Sequence, residues 1–180
     1  MSNNQRINRL WYVLTGGPCA GKTTLLQALK DRGYRVIYEA ARDIIERELQ
    51  KGRMLEDIRR NERSFQEDVL REKMAREREV SKNELLFFDR GIPDSLAYYY
   101  FFQIPIDAEL KEALESSSYK KVFLLDMLDY VQDNTRTETS EEAHRIHALL
   151  EQSYRDLHIP LICVPVLPVP ERLQFIIDNL

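Results

Sequence analysis

Residues Gly16 to Thr23 read Gly-Gly-Pro-Cys-Ala-Gly-Lys-Thr: a glycine, four residues, then Gly-Lys-Thr. This spacing limits the fold sharply, because a phosphate-binding loop of this pattern works only between a β-strand and the helix that follows it. Gly16 and Gly21 permit backbone torsions and close approaches that a side chain blocks. Residues Gly16, Gly17, Pro18, Cys19, Ala20 and Gly21 then form a concave nest in which the successive backbone N–H groups, Pro18 having none, meet phosphate oxygens. A helix starting near Gly21 adds its N-terminal dipole and unpaired N–H groups. The pattern assigns Lys22 to the β- and γ-phosphates, the Thr23 hydroxyl to Mg²⁺ and Thr24 to the α-phosphate. The ligand expected is ATP, with GTP as the alternative.

The flanks agree with the motif. Leu10-Trp11-Tyr12-Val13-Leu14 is a short apolar run of strand formers. After the loop, Leu25, Leu26 and Leu29 share one helical face, and Gly33 closes the helix. Further strands are expected at 34–38, 84–88, 121–125 and 160–164, with helices between them. Alternation of this kind gives a parallel sheet flanked by helices. The near-continuous apolar runs suit strands covered on both faces. Helices are expected over 40–51, over the charge-rich 55–81 with a break near Asn61 or Ser64, after a cap at Asp107, after the capping-box pair Thr139 and Glu142, and from Pro170 onward. The whole chain, 1–180, reads as one such domain.

Composition narrows the partners. A chain of 180 residues with net charge −4 offers no electrostatic case for nucleic acid as a main partner. No apolar run reaches the length of a membrane span, and the opening Met-Ser-Asn-Asn-Gln-Arg lacks the apolar core of a signal peptide. Cys19 and Cys163 make no disulfide framework, so the location expected is cytoplasmic. Cys163 reads as a small core residue, and in Cys19 the backbone N–H matters more than the thiol.

Three further constellations carry chemistry. Asp89 ends an apolar strand, where a carboxylate is costly unless a cation meets it. Mg²⁺ beside the Thr23 hydroxyl is that cation, a turn with a local Asp89–Arg90 ion pair being the alternative. Arg90 is assigned to a phosphate or the acceptor. Glu39 and Arg42 follow the second strand at the same edge. Glu39 is a candidate to take a proton from a substrate hydroxyl and Arg42 to bind a substrate anion, although Glu39 also suits a helix N-terminus. The polar stretch 133–138 is a candidate lid (about 126–139) whose Arg136 closes over the transferring phosphate. The aromatic stretch Ile92 to Phe102 reads as core rather than as a ring-binding pocket. Arg59, Arg60 and Arg63 read as a solvated helix face, and the three histidines receive no role.

Taken together, Leu14-Thr15-Gly16-Gly17-Pro18, Glu39-Ala40-Ala41-Arg42, Phe87-Phe88-Asp89-Arg90-Gly91, Pro93-Asp94-Ser95-Leu96-Ala97-Tyr98 and Tyr119 to Leu125 resemble a known family. It is the compact AAA-type predicted ATPases, P-loop kinase-like proteins grouped with the ribosylnicotinamide-kinase domain of the bacterial NAD regulator. The resemblance spans about residues 9 to 178. It implies an α/β P-loop NTPase of the nucleotide-kinase kind, a three-layer sandwich with a five-stranded parallel sheet and a small lid, using ATP or GTP and Mg²⁺. The usual loop of that family has Gly-Ser where this chain has Cys19-Ala20.

These residues make a small-molecule kinase the leading expectation. Thr23 and Asp89 hold Mg²⁺, Lys22 and Arg136 stabilise charge, and Glu39 orients a hydroxyl on a nucleoside-like acceptor whose identity the sequence leaves open. The alternative is a regulatory ATPase, GTPase or nucleotide switch acting on a protein partner.

Overall fold

A computed structural model describes residues 10–128 and 139–180 of the chain. The five strands are β1 Trp11–Thr15, β2 Arg35–Ile37, β3 Leu86–Asp89, β4 Lys121–Leu125 and β5 Leu161–Val164. They form one sheet in the order β2-β3-β1-β4-β5, and every pairing is parallel. The helices are α1 Lys22–Asp31, α2 Ala40–Gln50, α3 Leu55–Arg59, α4 Glu62–Glu79, α5 Ile92–Phe101, α6 Ala108–Ser116, α7 Ser140–Asp156 and α8 Val169–Asp178.

The period-two alternation of β1 explains the three layers. Tyr12 and Leu14 point to one face, where they meet Leu25, Leu26 and Leu29 of α1 and Leu173 and Ile176 of α8. Trp11 and Val13 point to the other, toward Phe88, Val122, Tyr119 and Tyr154. A third cluster joins α2, α3 and α4 through Ala40, Ile58, Phe65 and Val69. Burial of apolar side chains on both faces stabilises the central strands by roughly 1.5–3 kcal/mol per large side chain. Truncating fully buried Leu26 to Ala removes about 2–5 kcal/mol.

Most expected elements stand within a residue or two. The long charged segment does break at Asn61, whose side chain caps α4 by accepting from the Ser64 N–H at 3.1 Å. Asp107 caps α6, and Thr139 with Glu142 forms the reciprocal capping box of α7. Two expectations need correction. Coverage on both faces holds for β1, β3 and β4, whereas β2 and β5 are edge strands and only partly buried. Cys163 is therefore exposed rather than a core residue, since β5 is an edge strand of the sheet among the described residues. The aromatic stretch is mainly core as expected: Ile92, Leu96, Ala97 and Tyr99 of α5 are buried, while Tyr100 faces solvent. Among the described residues, no helix is long and apolar enough to cross a membrane.

Candidate active site

The sheet register brings the chemistry to one edge. Leu14 of β1 stands level with Asp89 of β3, and Phe88 stands level with Ile37 of β2. The carboxyl ends of these three strands therefore deliver Gly16, Asp89 and Glu39 side by side, where ligands of open α/β sheets bind. The Arg90 N–H donates to the Leu14 carbonyl at 3.1 Å and fastens the two strand ends together.

The phosphate loop depends on its glycines. Gly16 has φ 148°, and a Cβ there would lie 2.8 Å from the Leu125 carbonyl oxygen and 3.0 Å from the Ala20 Cβ. Gly21, at φ 80°, is the N-cap of α1 and uses no side chain to cap it, so the first N–H groups of the helix remain for a ligand. Cys19 has φ 66°, a left-handed conformation that costs a non-glycine residue of order 1–2 kcal/mol. Strain of this kind collects at functional sites. Lys22 Nζ donates to the carbonyls of Gly16 and Gly17 at 2.9 and 3.1 Å. Burial, with Arg90 adding to it, lowers the Lys22 ammonium to about 8 against the opposing pull of Asp89 and Glu39. Thr23 and Thr24 are exposed at the mouth of the loop.

Asp89 faces this loop almost fully buried, and its Oδ1 has no hydrogen-bond partner among the described residues. Burial and the neighbouring Glu39 raise its carboxyl to about 7. The local Asp89–Arg90 pair considered from sequence is absent from the ion pairs of the described residues. Arg90 instead binds Glu39 at 2.8 Å and Asp94 at 3.2 Å. Like Cys19, Arg90 has a left-handed backbone, φ 67°. Glu39 keeps part of its side chain in solvent, and although burial works against ionisation, Arg90 and then Lys22 hold its carboxyl below the ordinary value. The other role considered for Glu39 is also filled in part: it is the N-cap residue of α2, without a side-chain capping bond.

Two residues that sequence reasoning passed over complete this floor. Asp94, fully buried, accepts from the Thr15 hydroxyl, Arg90 Nη1, the Gly91 N–H and the Tyr154 hydroxyl. Burial opposes its charge, but Lys73 and Arg90 outweigh burial and keep it below the usual carboxylate range. Lys73 reaches in from α4, donating to the Gly91 carbonyl at 2.9 Å and Ser95 Oγ at 3.0 Å. Burial lowers it to about 8, with Asp94 opposing. Asp94 lies inside a recognised sequence stretch, but nothing in its spacing revealed four donors. Lys73 was one basic residue in a charged helix.

Two more were also missed. Arg172 of α8, buried, donates from Nη1 to the Ala20 carbonyl at 2.9 Å and from Nη2 to the Asp126 carbonyl at 3.0 Å. Because the C=O and N–H of a trans peptide point in opposite directions, gripping the Ala20 oxygen from outside turns the Gly21 N–H toward the nest. His147 of α7 accepts from the Gly17 N–H at 3.3 Å, so this N–H is turned to α7 rather than into the nest expected of it.

The remaining candidates separate. Arg42 is exposed on α2 and forms no hydrogen bond or ion pair among the described residues. Arg60 and Arg63, paired with Asp57 and Glu67, form the solvated face expected, whereas Arg59, paired with Glu62, is half-buried over the Phe65 and Phe102 rings. Arg136 and most of the candidate lid lie outside the described residues.

Solved structures reproduce the architecture. Deoxyadenosine kinase from M. mycoides, solved with dCMP and a flexible dCDP, superposes with TM-score 0.66 at 14% identity, over 94% of this chain and 97% of that one. Thymidylate kinase from Ehrlichia chaffeensis gives TM-score 0.66 at 12% identity, over 94% and 96%. At such identities the likeness is one of fold, the α/β fold of P-loop nucleotide kinases. No curated protein sequence matches the chain. The phosphate loop and the strand-end carboxylates nevertheless lie within a stretch, residues 11–172, that matches a family described as AAA domain, and the chain belongs to that family.

Proposed function

We propose that the protein is a Mg²⁺-dependent kinase that transfers the γ-phosphate of ATP to a hydroxyl of a nucleoside-like acceptor. The observation that carries this reading is the Glu39–Arg90 pair beside Asp89 and Lys22. It puts a partly exposed, ionised carboxylate within the charged neighbourhood of the phosphate loop. Nucleotide binding alone has no use for that group, whereas a hydroxyl acceptor does.

The site fits Mg²⁺. A buried carboxylate with an orphaned Oδ1 and a carboxyl raised to about 7 gains most from a cation. Asp89 and Thr23 are the residues to hold it, in the one-carboxylate manner usual for Mg²⁺ on phosphates. When bound, the ion neutralises charge on the phosphate oxygens. Lys22, positioned by the Gly16 and Gly17 carbonyls, turns its remaining N–H donor to β- and γ-phosphate oxygens. Glu39 accepts the proton of the acceptor O–H as the new O–P bond forms, and ADP carries away the electron pair of the broken bond. Arg90, held by Asp94, orients Glu39 and keeps it ionised. Arg136 is proposed for the neutralising role over the γ-phosphate, and Arg42 for an anionic part of the acceptor. The likeness of fold to deoxyadenosine and thymidylate kinases supports a nucleoside-like acceptor, and the resemblance read from the sequence, to proteins grouped with a ribosylnicotinamide-kinase domain, points the same way. A cytoplasmic setting with ATP in supply suits this reading.

The test is release of ADP from Mg-ATP and of GDP from Mg-GTP, alone and with a panel of nucleosides that includes nicotinamide riboside, with Lys22→Ala as control. A Lys22-dependent rise with one acceptor is expected. Lys22-dependent turnover indifferent to every acceptor would overturn the kinase reading in favour of a regulatory NTPase.

A further inference from the structure

We propose that His147 is a positioning residue of the phosphate loop, its Nδ1 holding the Gly17 N–H so that the Gly16 carbonyl stays turned toward Lys22. The inference rests on the nucleotide-binding part of the reading above and adds a helix that no sequence motif connects to the loop.

Four observations converge. First, the Gly16–Gly17 peptide is gripped at both ends: Lys22 Nζ donates to the Gly16 oxygen at 2.9 Å, and the Gly17 N–H donates to His147 Nδ1 at 3.3 Å. In a trans peptide these two groups point opposite ways, so each contact enforces the other. Second, α7 lies directly on the loop. A Cβ on Gly17 would come within 3.0 Å of the Ala143 carbonyl oxygen and 3.1 Å of the His147 Cβ. Ala143 and His147, one turn apart, thus make a shelf that only glycine can approach. Third, an accepting Nδ1 requires a neutral ring with its proton on Nε2. The surroundings favour that state: burial, then Lys22 and His144, hold His147 below its usual value against Asp126 and Glu151. Fourth, the Gly17 N–H is buried with its residue, and a buried N–H that loses its acceptor is costly. Without His147 the peptide is free to rotate, and Lys22 loses a fixed carbonyl in the resting loop.

His147 therefore acts through Gly17 and Lys22 rather than on phosphate. Arg172, from α8, grips the Ala20–Gly21 peptide by its other group, the carbonyl, and so turns an N–H rather than a carbonyl inward. The nest is braced from outside by one side chain on each of two helices.

The sequence offers a clean probe, because Gly16-Gly17 is the one Gly-Gly pair in the chain. Protein labelled with carbonyl-¹³C and amide-¹⁵N glycine gives a single ¹³C-coupled amide signal, that of Gly17. The proteins compared are wild type, His147→Leu, which removes the acceptor, and His147→Asn, whose amide oxygen takes the place of Nδ1. In His147→Leu we expect the Gly17 signal to shift and the Kd for Mg-ATP to rise about 5-fold to 10-fold. In His147→Asn the signal stays near its wild-type position, and Kd is restored to within about twofold. An unchanged Gly17 signal in His147→Leu, or an Asn variant as impaired as the Leu variant, overturns the proposal. Should His147→Leu fail to fold, the Gly17 signal of wild type followed through protonation of the imidazole reads the same bond, and a signal that ignores that titration overturns it equally. If wild type binds no nucleotide, the function proposed above fails while the Gly17 signal still decides the role of His147.

Discussion

The two halves of the site hold charge in different ways. On the loop side, the ligand is to be met by backbone N–H groups, and the side chains that matter, His147 and Arg172, brace the backbone from outside. On the side proposed for the acceptor, charged side chains neutralise one another: partly exposed Glu39 on buried Arg90, Arg90 on Asp94, Asp94 beside Lys73. Backbone donors carry no net charge and need no counter-ion, so the loop can wait empty at modest cost. The acceptor floor must be nearly complete before any ligand arrives, because an unpaired buried charge costs several kcal/mol. Asp89 sits between the two halves and belongs to neither. It is a buried carboxylate with an unpartnered oxygen, and its raised carboxyl reflects that burial first and Glu39 second.

Substitutions can break this contrast, the strongest first. Asp89→Asn is expected to lower acceptor-dependent turnover by roughly 100-fold or more, measured as initial rates, by removing the one buried carboxylate available to the metal. The same variant should stabilise the ligand-free protein. The folded carboxyl titrates near 7 against an ordinary 3.8, so the fold binds this proton more tightly than the unfolded chain does. The wild-type penalty is full above pH 7 and fades as pH falls from about 7 to 4. Asp89→Asn, which carries no charge, should gain a few kcal/mol at pH 8 and nothing near pH 4, read from urea unfolding in chelator. A variant less stable than wild type at pH 8 would show that Asp89 has a structural partner.

Asp94→Asn should do the opposite. It keeps the shape but strips the charge from a carboxylate that meets four donors, leaving Arg90 and Lys73 under-compensated. A loss of about 3–5 kcal/mol in the same unfolding assay is expected, with Mg-ATP affinity of the surviving folded protein changed little. A loss under about 1 kcal/mol would mean that the acceptor floor is not organised around this group.

Cys19→Gly should have the smallest effect and the opposite sign. Glycine adopts φ 66° without penalty, so relief of about 1 kcal/mol is expected, reduced by the greater freedom of glycine in the unfolded chain. Nucleotide affinity should hold, since the backbone N–H is retained. Lost affinity would give the thiol a role of its own in the loop.

The same contrast explains what could be read from the sequence. The loop, its strand and its helix are contiguous, so a pattern of eight residues specifies their geometry. The strand-end placement of Glu39 and Asp89 was also legible, because apolar runs end there and parallel sheets align their carboxyl ends. What stayed hidden depends on contacts between distant segments. Asp94 meets Thr15 across 79 residues and Tyr154 across 60. His147 meets Gly17 across 130, and Arg172 meets Ala20 across 152. Lone polar residues on amphipathic helices look alike until packing brings their partners to them. Cys163 shows the reverse error: an apolar run reads as covered on both faces, and only strand order reveals an edge.

The proposed division of labour is a loop that binds nucleotide and a separate carboxylate that serves the acceptor. Glu39→Gln separates them most directly, with Mg-ATP affinity and acceptor-dependent ADP formation measured on the same preparation. A fall in turnover of about 100-fold or more is expected, with Kd for Mg-ATP within about twofold of wild type. Turnover that survives the substitution, or that falls only as far as nucleotide affinity falls, would contradict it.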